Sequence, residues 1–144
     1  MKNILLGLLV LSTSAFADTS GSIGYGSDYI FRGASQAGKP VVYASYKVES
    51  EGFYLGAWAS QVDFGDTTSR EIDYFGGYNL AVTDRVSLDV GYMRYTFDAN
   101  IDSLEELYVI ASFGGLSLGA YQDLDTNDTY AEVGYDLWFV PVVD

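Results

Sequence analysis

The chain has 144 residues, with 20 Asp and Glu against 7 Lys and Arg, and it contains neither His nor Cys. That composition removes the usual general base at neutral pH, thiolate nucleophiles, His/Cys zinc sites, haem ligation and disulfides, while a net charge of −13 repels phosphate backbones and excludes nucleic acid as an expected partner. With 13 Tyr, 8 Phe and 2 Trp the chain is too aromatic for a disordered acidic tail, and its length fits one domain.

Residues 1–17 read as a secretory signal peptide. Met1-Lys2-Asn3 is a short basic start, 4–11 is an apolar run, and Ala15-Phe16-Ala17 is a small-x-small cleavage site, so the cut is expected between Ala17 and Asp18. The alternatives, a membrane anchor or a buried helix, fit less well, because a spanning helix needs about 20 apolar residues. The domain expected to fold is 18–144. An exported protein without Cys is consistent with a bacterial envelope protein that needs no disulfides.

After residue 17 no apolar stretch is long enough for a spanning helix, and short segments alternate apolar with polar residues. The expected fold class is all-β, with about eight antiparallel strands near 20–31, 40–49, 53–64, 71–82, 85–97, 104–113, 116–123 and 129–139. The links alternate in length. Those at 50–52, 83–84 and 114–115 are tight, whereas 32–39, 65–70, 98–103 and 124–128 are longer and polar. Such alternation predicts an up-and-down transmembrane barrel with short periplasmic turns and longer extracellular loops around Ala34, Asp66, Asn100 and Thr126.

Parity separates two faces in most strands. Val86, Leu88, Val90 and Tyr92 oppose Arg85, Ser87, Asp89 and Gly91, and Ala131, Val133 and Tyr135 oppose Glu132, Gly134 and Asp136. Strand 53–64 departs from the rule, with Leu55, Ala57 and Ala59 against Tyr54, Trp58 and Val62, and Arg94 falls on an apolar parity, where it must reach the rim or follow a bulge. A soluble barrel with its apolar face inward fits the same alternation. Glycine, serine and carboxylates on the polar face, aromatics near strand ends and the alternation of link lengths favour the membrane. The candidate lumen-lining residues are Asp28, Lys47, Glu49, Glu71, Asp73, Arg85, Asp89, Glu106, Glu132 and Asp136. Eight are acids, so a hydrated lumen is expected to prefer cations.

Three strings carry a family resemblance. They are Gly26-Ser27-Asp28-Tyr29-Ile30-Phe31-Arg32-Gly33-Ala34-Ser35-Gln36, residues 54–64 (YLGAWASQVDF) and residues 71–78 (EIDYFGGY). Together they resemble the TorF family of bacterial outer-membrane porins, from about residue 19 to the end. The resemblance implies an outer-membrane location, passage of small hydrophilic solutes or ions, outer-membrane lipid as surroundings and the barrel assembly machinery as a partner. It transfers no functional residues. The chain is shorter than members of that family generally are, so either a short barrel closes with eight strands or the chain is a fragment. Closure at eight requires the last strand to pair with the first and brings Tyr135 near Tyr25.

Other motifs are weak. Residues 123–128 begin like a calcium loop, but Asp128 stands where Gly is expected and Gly134 where a bidentate Glu is expected, so they read as a solvated acidic loop. Asp28 and Asp73 have nothing to fix them as an acid/base pair. No metal, cofactor or catalytic residue is expected, and an enzyme of the membrane-barrel kind is disfavoured without His. A non-transporting barrel with a structural or adhesion role is the alternative to a porin, since an eight-stranded interior is just wide enough for side chains to fill.

Overall fold

The computed structural model describes residues 17–99 and 101–137. Ten strands run through them: β1 (Asp18–Gly26), β2 (Ile30–Phe31), β3 (Ala34–Ser35), β4 (Val41–Ser50), β5 (Phe53–Gln61), β6 (Arg70–Thr83), β7 (Val86–Phe97), β8 (Leu104–Phe113), β9 (Leu116–Asp123) and β10 (Thr129–Tyr135). Eight form one antiparallel sheet in the order β1-β4-β5-β6-β7-β8-β9-β10, and β2 pairs with β3 in a separate hairpin. The fold is all-β, and each strand of the large sheet is followed by its sheet neighbour, apart from the hairpin inserted between β1 and β4.

The expected first strand, 20–31, divides. Its extended run stops at Gly26, and the chain bends through 27–29 before the hairpin begins. The expected strand 129–139 is seen to Tyr135, and residues 138 and 139 lie outside the described part, as do the signal segment 1–16 and Asn100. Tight turns fall where the short links are. Glu51 and Gly52 both have positive φ, 52° and 87°, which suits the right-handed twist of the strands they join.

The expected closure is not observed. β1 and β10 are the two edges of the sheet and do not pair with each other among the described residues. At the end where closure was expected, the inner face of β10 meets the inserted hairpin, with Tyr130 against Arg32.

The two faces are inverted relative to a sheet in water, which buries its apolar side. Ile23, Leu55 and Val133 are 80%, 69% and 73% exposed, whereas Glu71, Asp73 and Glu106 are 4%, 5% and 4% exposed. The buried apolar side chains are only Ala37, Val41, Val62 and Tyr95 among the described residues. The strand that defied simple parity is resolved by register. Tyr54, Trp58 and Ser60 lie on the polar inner face and Leu55 on the apolar outer one, so aromatics line part of the inside. Arg94 follows no bulge. It lies directly opposite Glu105 near the loop end of β7 and β8 and pairs with it at 3.2 Å.

One row of paired residues crosses the whole sheet at a single level: Asp18, Glu49, Tyr54, Gly77, Gly91, Tyr108, Tyr121 and Tyr130. A methyl group on Gly77 would stand 2.4 Å from the Tyr54 hydroxyl, and one on Gly91 2.4 Å from that of Tyr108. The two glycines therefore let both tyrosine rings lie flat along the inner face, where their hydroxyls hydrogen-bond to each other across β6 and β7.

Candidate functional site

The inserted hairpin is folded onto the inner face. Arg32 and Gly33 form its two-residue turn, with φ of 48° and 82°. Glycine takes that conformation without cost, while a residue with a Cβ carries about 1–2 kcal/mol of strain, so Arg32 needs compensating contacts to hold it there. It has them. Its Nη1 and Nη2 donate to the two carboxylate oxygens of Glu106 at 2.6 and 2.8 Å, the parallel fork that makes Arg–carboxylate pairs strong. Tyr95 also donates to Glu106, at 2.8 Å, and the guanidinium carbon lies 4.2 and 5.0 Å from the ring centres of Tyr130 and Tyr121.

Other residues of the insert reach different strands. Tyr29 packs on Trp58 with ring centres 4.9 Å apart and donates to Glu71 at 3.4 Å, and Phe31 meets Tyr95 edge-on at 5.7 Å. Side chains from β5 to β10 thus converge on residues 29–32. In a flat sheet those strands are about 24 Å apart, so the sheet must curl around the hairpin.

Asp28 fastens the base of this insert. Its carboxylate accepts from the backbone of Tyr29 at 2.8 Å and of Gly38 at 2.9 Å. A hydrogen bond from Ser35, followed by these backbone donors, holds its carboxyl below the usual range. The backbone of Gln36 donates to the Tyr29 carbonyl at 2.7 Å, and that of Asp63 to the Gln36 carbonyl at 2.7 Å. Lys39 pairs with Asp63 at 2.5 Å and ties the insert to the next loop.

Glu71 and Asp73 complete the buried polar cluster. No ion pair reaches either of them among the described residues, because the nearby cation, Arg32, is occupied by Glu106, and Asp73 Oδ1 has no hydrogen-bond partner. No group of three or more acidic side chains is placed to hold a metal among the described residues.

Toward the turns the inner face opens into a cavity of about 490 Å³, lined by Lys47, Glu49, Gly52, Tyr54, Phe75, Asn79, Asp89 and Tyr108. Tyr54 donates to Asp89 at 2.5 Å, and Lys47 pairs with Glu49. The inner face therefore has two compartments, a plugged one at the loop end and an open one at the turn end. Tyr54 and Tyr108 stand between them.

The expected lumen residues fall into distinct places. Glu71, Asp73 and Glu106 gather under the hairpin, and Lys47, Glu49 and Asp89 around the cavity. Glu132 accepts from Tyr121 at 2.7 Å on the edge strand. Asp28 sits in a bend and not on a strand face, because it caps the insert. Arg85 belongs to the β6–β7 turn, and Asp136 follows the end of β10 with its backbone donating to Gly115 at 2.8 Å. Sequence reasoning overlooked Arg32, placing it in an outside loop. The available signal was the Arg-Gly pair between two extended dipeptides, a tight-turn pattern inside a link too long for a simple turn.

A curled antiparallel sheet, apolar outside and polar inside with part of its own chain folded into the interior, defines the class of protein structurally. Residues 12–136 match the model of a family described as bacterial protein of unknown function (Gcw_chp), and the chain belongs to that family. Neither a curated protein nor a solved structure matches it.

Proposed function

We propose that this is a bacterial outer-membrane protein of porin type, which passes small hydrophilic solutes or ions with a preference for cations. The observation that carries the reading is the inversion of the two faces. An exposed band with Tyr25, Tyr46, Leu55, Val90, Leu118 and Val133 suits hydrocarbon, whereas Glu71, Asp73 and Glu106 occupy the interior. The alternating link lengths and the resemblance to TorF porins support the same reading, with outer-membrane lipid as surroundings and the barrel assembly machinery as a partner in insertion. Acids outnumber bases on the inner face, which favours cations in any continuous water path.

The filled interior favours a second reading, a non-transporting outer-membrane protein with a structural or adhesion role. Arg32 with its rings closes the loop end, and side chains fill the interior of barrels this narrow. Planar-bilayer recording in a salt gradient separates the two. Reversal potentials of cation-selective sign support the porin reading, and a folded, monodisperse protein that passes no current overturns it in favour of the second.

A further inference from the structure

We infer that the cavity at the turn end of the inner face is a binding site for a small organic ammonium ion. The inference deepens the porin reading by naming a solute class, and it rests on that reading only for the physiological direction of access. Three aromatic side chains form the wall. Tyr54, Phe75 and Tyr108 each lie over a glycine of the adjoining strand, Gly77, Gly56 and Gly91, and a Cβ on these would stand 2.7, 2.4 and 2.4 Å from the nearest atom of the ring that covers it. One face of each ring is therefore pressed against backbone, which leaves the opposite face directed away from the sheet. Ring faces carry the negative lobe of the aromatic quadrupole and attract cations.

Charge agrees with this geometry. Glu49 and Asp89 border the cavity and Lys47 is the single base beside them, so the lining is net acidic. The Lys47 ammonium already stands 5.9 Å from the centre of the Tyr54 ring while paired with Glu49. The protein's own side chain thus shows the contacts that a ligand ammonium would make, a carboxylate on one side and an aromatic face on the other. Lys47 and Glu49 are 40% and 46% exposed, so solutes reach the site without displacing the hairpin. A neutral sugar also stacks on flat rings, but it gains nothing from the acidic excess.

The test uses choline as the probe and 3,3-dimethylbutan-1-ol, its uncharged counterpart of the same shape, as the control. Both are titrated calorimetrically into the full chain held in a polyoxyethylene detergent. Choline is expected to bind about tenfold more tightly than the neutral analogue. Asp89→Asn and Phe75→Leu should each weaken choline by several-fold. Lys47→Gln, which removes the resident ammonium, should tighten it by about threefold. Equal affinity for the two probes, no binding of choline, or preferential binding of glucose would each overturn the inference. Current measured on the same preparations keeps the two readings separate. A protein that binds choline and passes no current retains the cavity assignment and loses the porin reading, while one that conducts cations without distinguishing choline from its analogue loses the cavity assignment alone.

Discussion

Replacing Arg32 with Asn removes the guanidinium while keeping a residue that tolerates positive φ, so the turn is preserved and the latch is lost. Glu106 is 4% exposed and would be left without its bidentate partner. Breaking a buried pair on one side costs about 3–5 kcal/mol. Two effects reduce that figure here. The Arg32 side chain is itself 22% exposed, and Asn relieves about 1 kcal/mol of backbone strain. A loss of about 2–3 kcal/mol in hairpin docking remains, which raises the undocked population by about 30- to 150-fold. Hydrogen exchange reads this directly, because the Asp63 amide is held by the Gln36 carbonyl only while the insert is docked against the neighbouring loop. Its protection should fall by that factor in Arg32→Asn and Glu106→Gln, and by less than the sum in the double variant, where no charge is stranded. If the protein conducts, the same variants should spend more time open. Unchanged protection in both single variants would refute the idea that this pair latches the hairpin.

Three further outcomes are expected. Gly91→Ala places a methyl group 2.4 Å from the Tyr108 ring and 2.9 Å from the Gly76 carbonyl, which should lower the urea midpoint by the equivalent of about 1–3 kcal/mol, with a smaller loss in a Tyr108→Ala background. Asp98, held at a pKa of about 2 chiefly by the Ser69 amide, contributes stability that is present above the ordinary carboxylate range and lost as pH falls through about 2. Amide protection at Ser69 and Arg70 should therefore drop between pH 4 and 2, and Asp98→Asn should lack that acid-dependent step. In cells, single Cys residues at Asp66 and Thr126 should react with an impermeant maleimide while those at Glu51, Asp84 and Gly114 do not; labelling at 51 without labelling at 66 would invert the proposed topology.

Strand positions and faces were legible in the sequence because both are local. Parity in β7 and β10, and the turns at 51–52 and 114–115, follow from neighbouring residues, and the placement of Asp89 on the polar face follows from the same period of two. The interior was not legible. Arg32 and Glu106 are 74 residues apart, and nothing near Arg32 indicates that its loop turns inward. The aromatic parity of Tyr54 and Trp58 looked irregular because the inner face was expected to be small and charged. Flat rings over Gly77 and Gly91 satisfy the same space, but only the pairing register shows which glycine lies beneath which ring. Closure of the sheet, a property of its two most distant strands, was the expectation least supported by local pattern, and the described residues do not show it.

On the proposed reading, the apolar face of the sheet lies in lipid and the polar face encloses the interior. A nitroxide scan along β7, placed in phospholipid vesicles and read by collision with oxygen against a water-soluble nickel chelate, tests it at each residue. Labels at Leu88, Val90 and Tyr92 should favour oxygen, and those at Ser87, Asp89 and Met93 should favour the nickel chelate or be shielded from both, giving a period of two. The opposite phase, or nickel accessibility at Leu88 and Val90 equal to that of the exposed turn at Asp84, would contradict a membrane-spanning sheet.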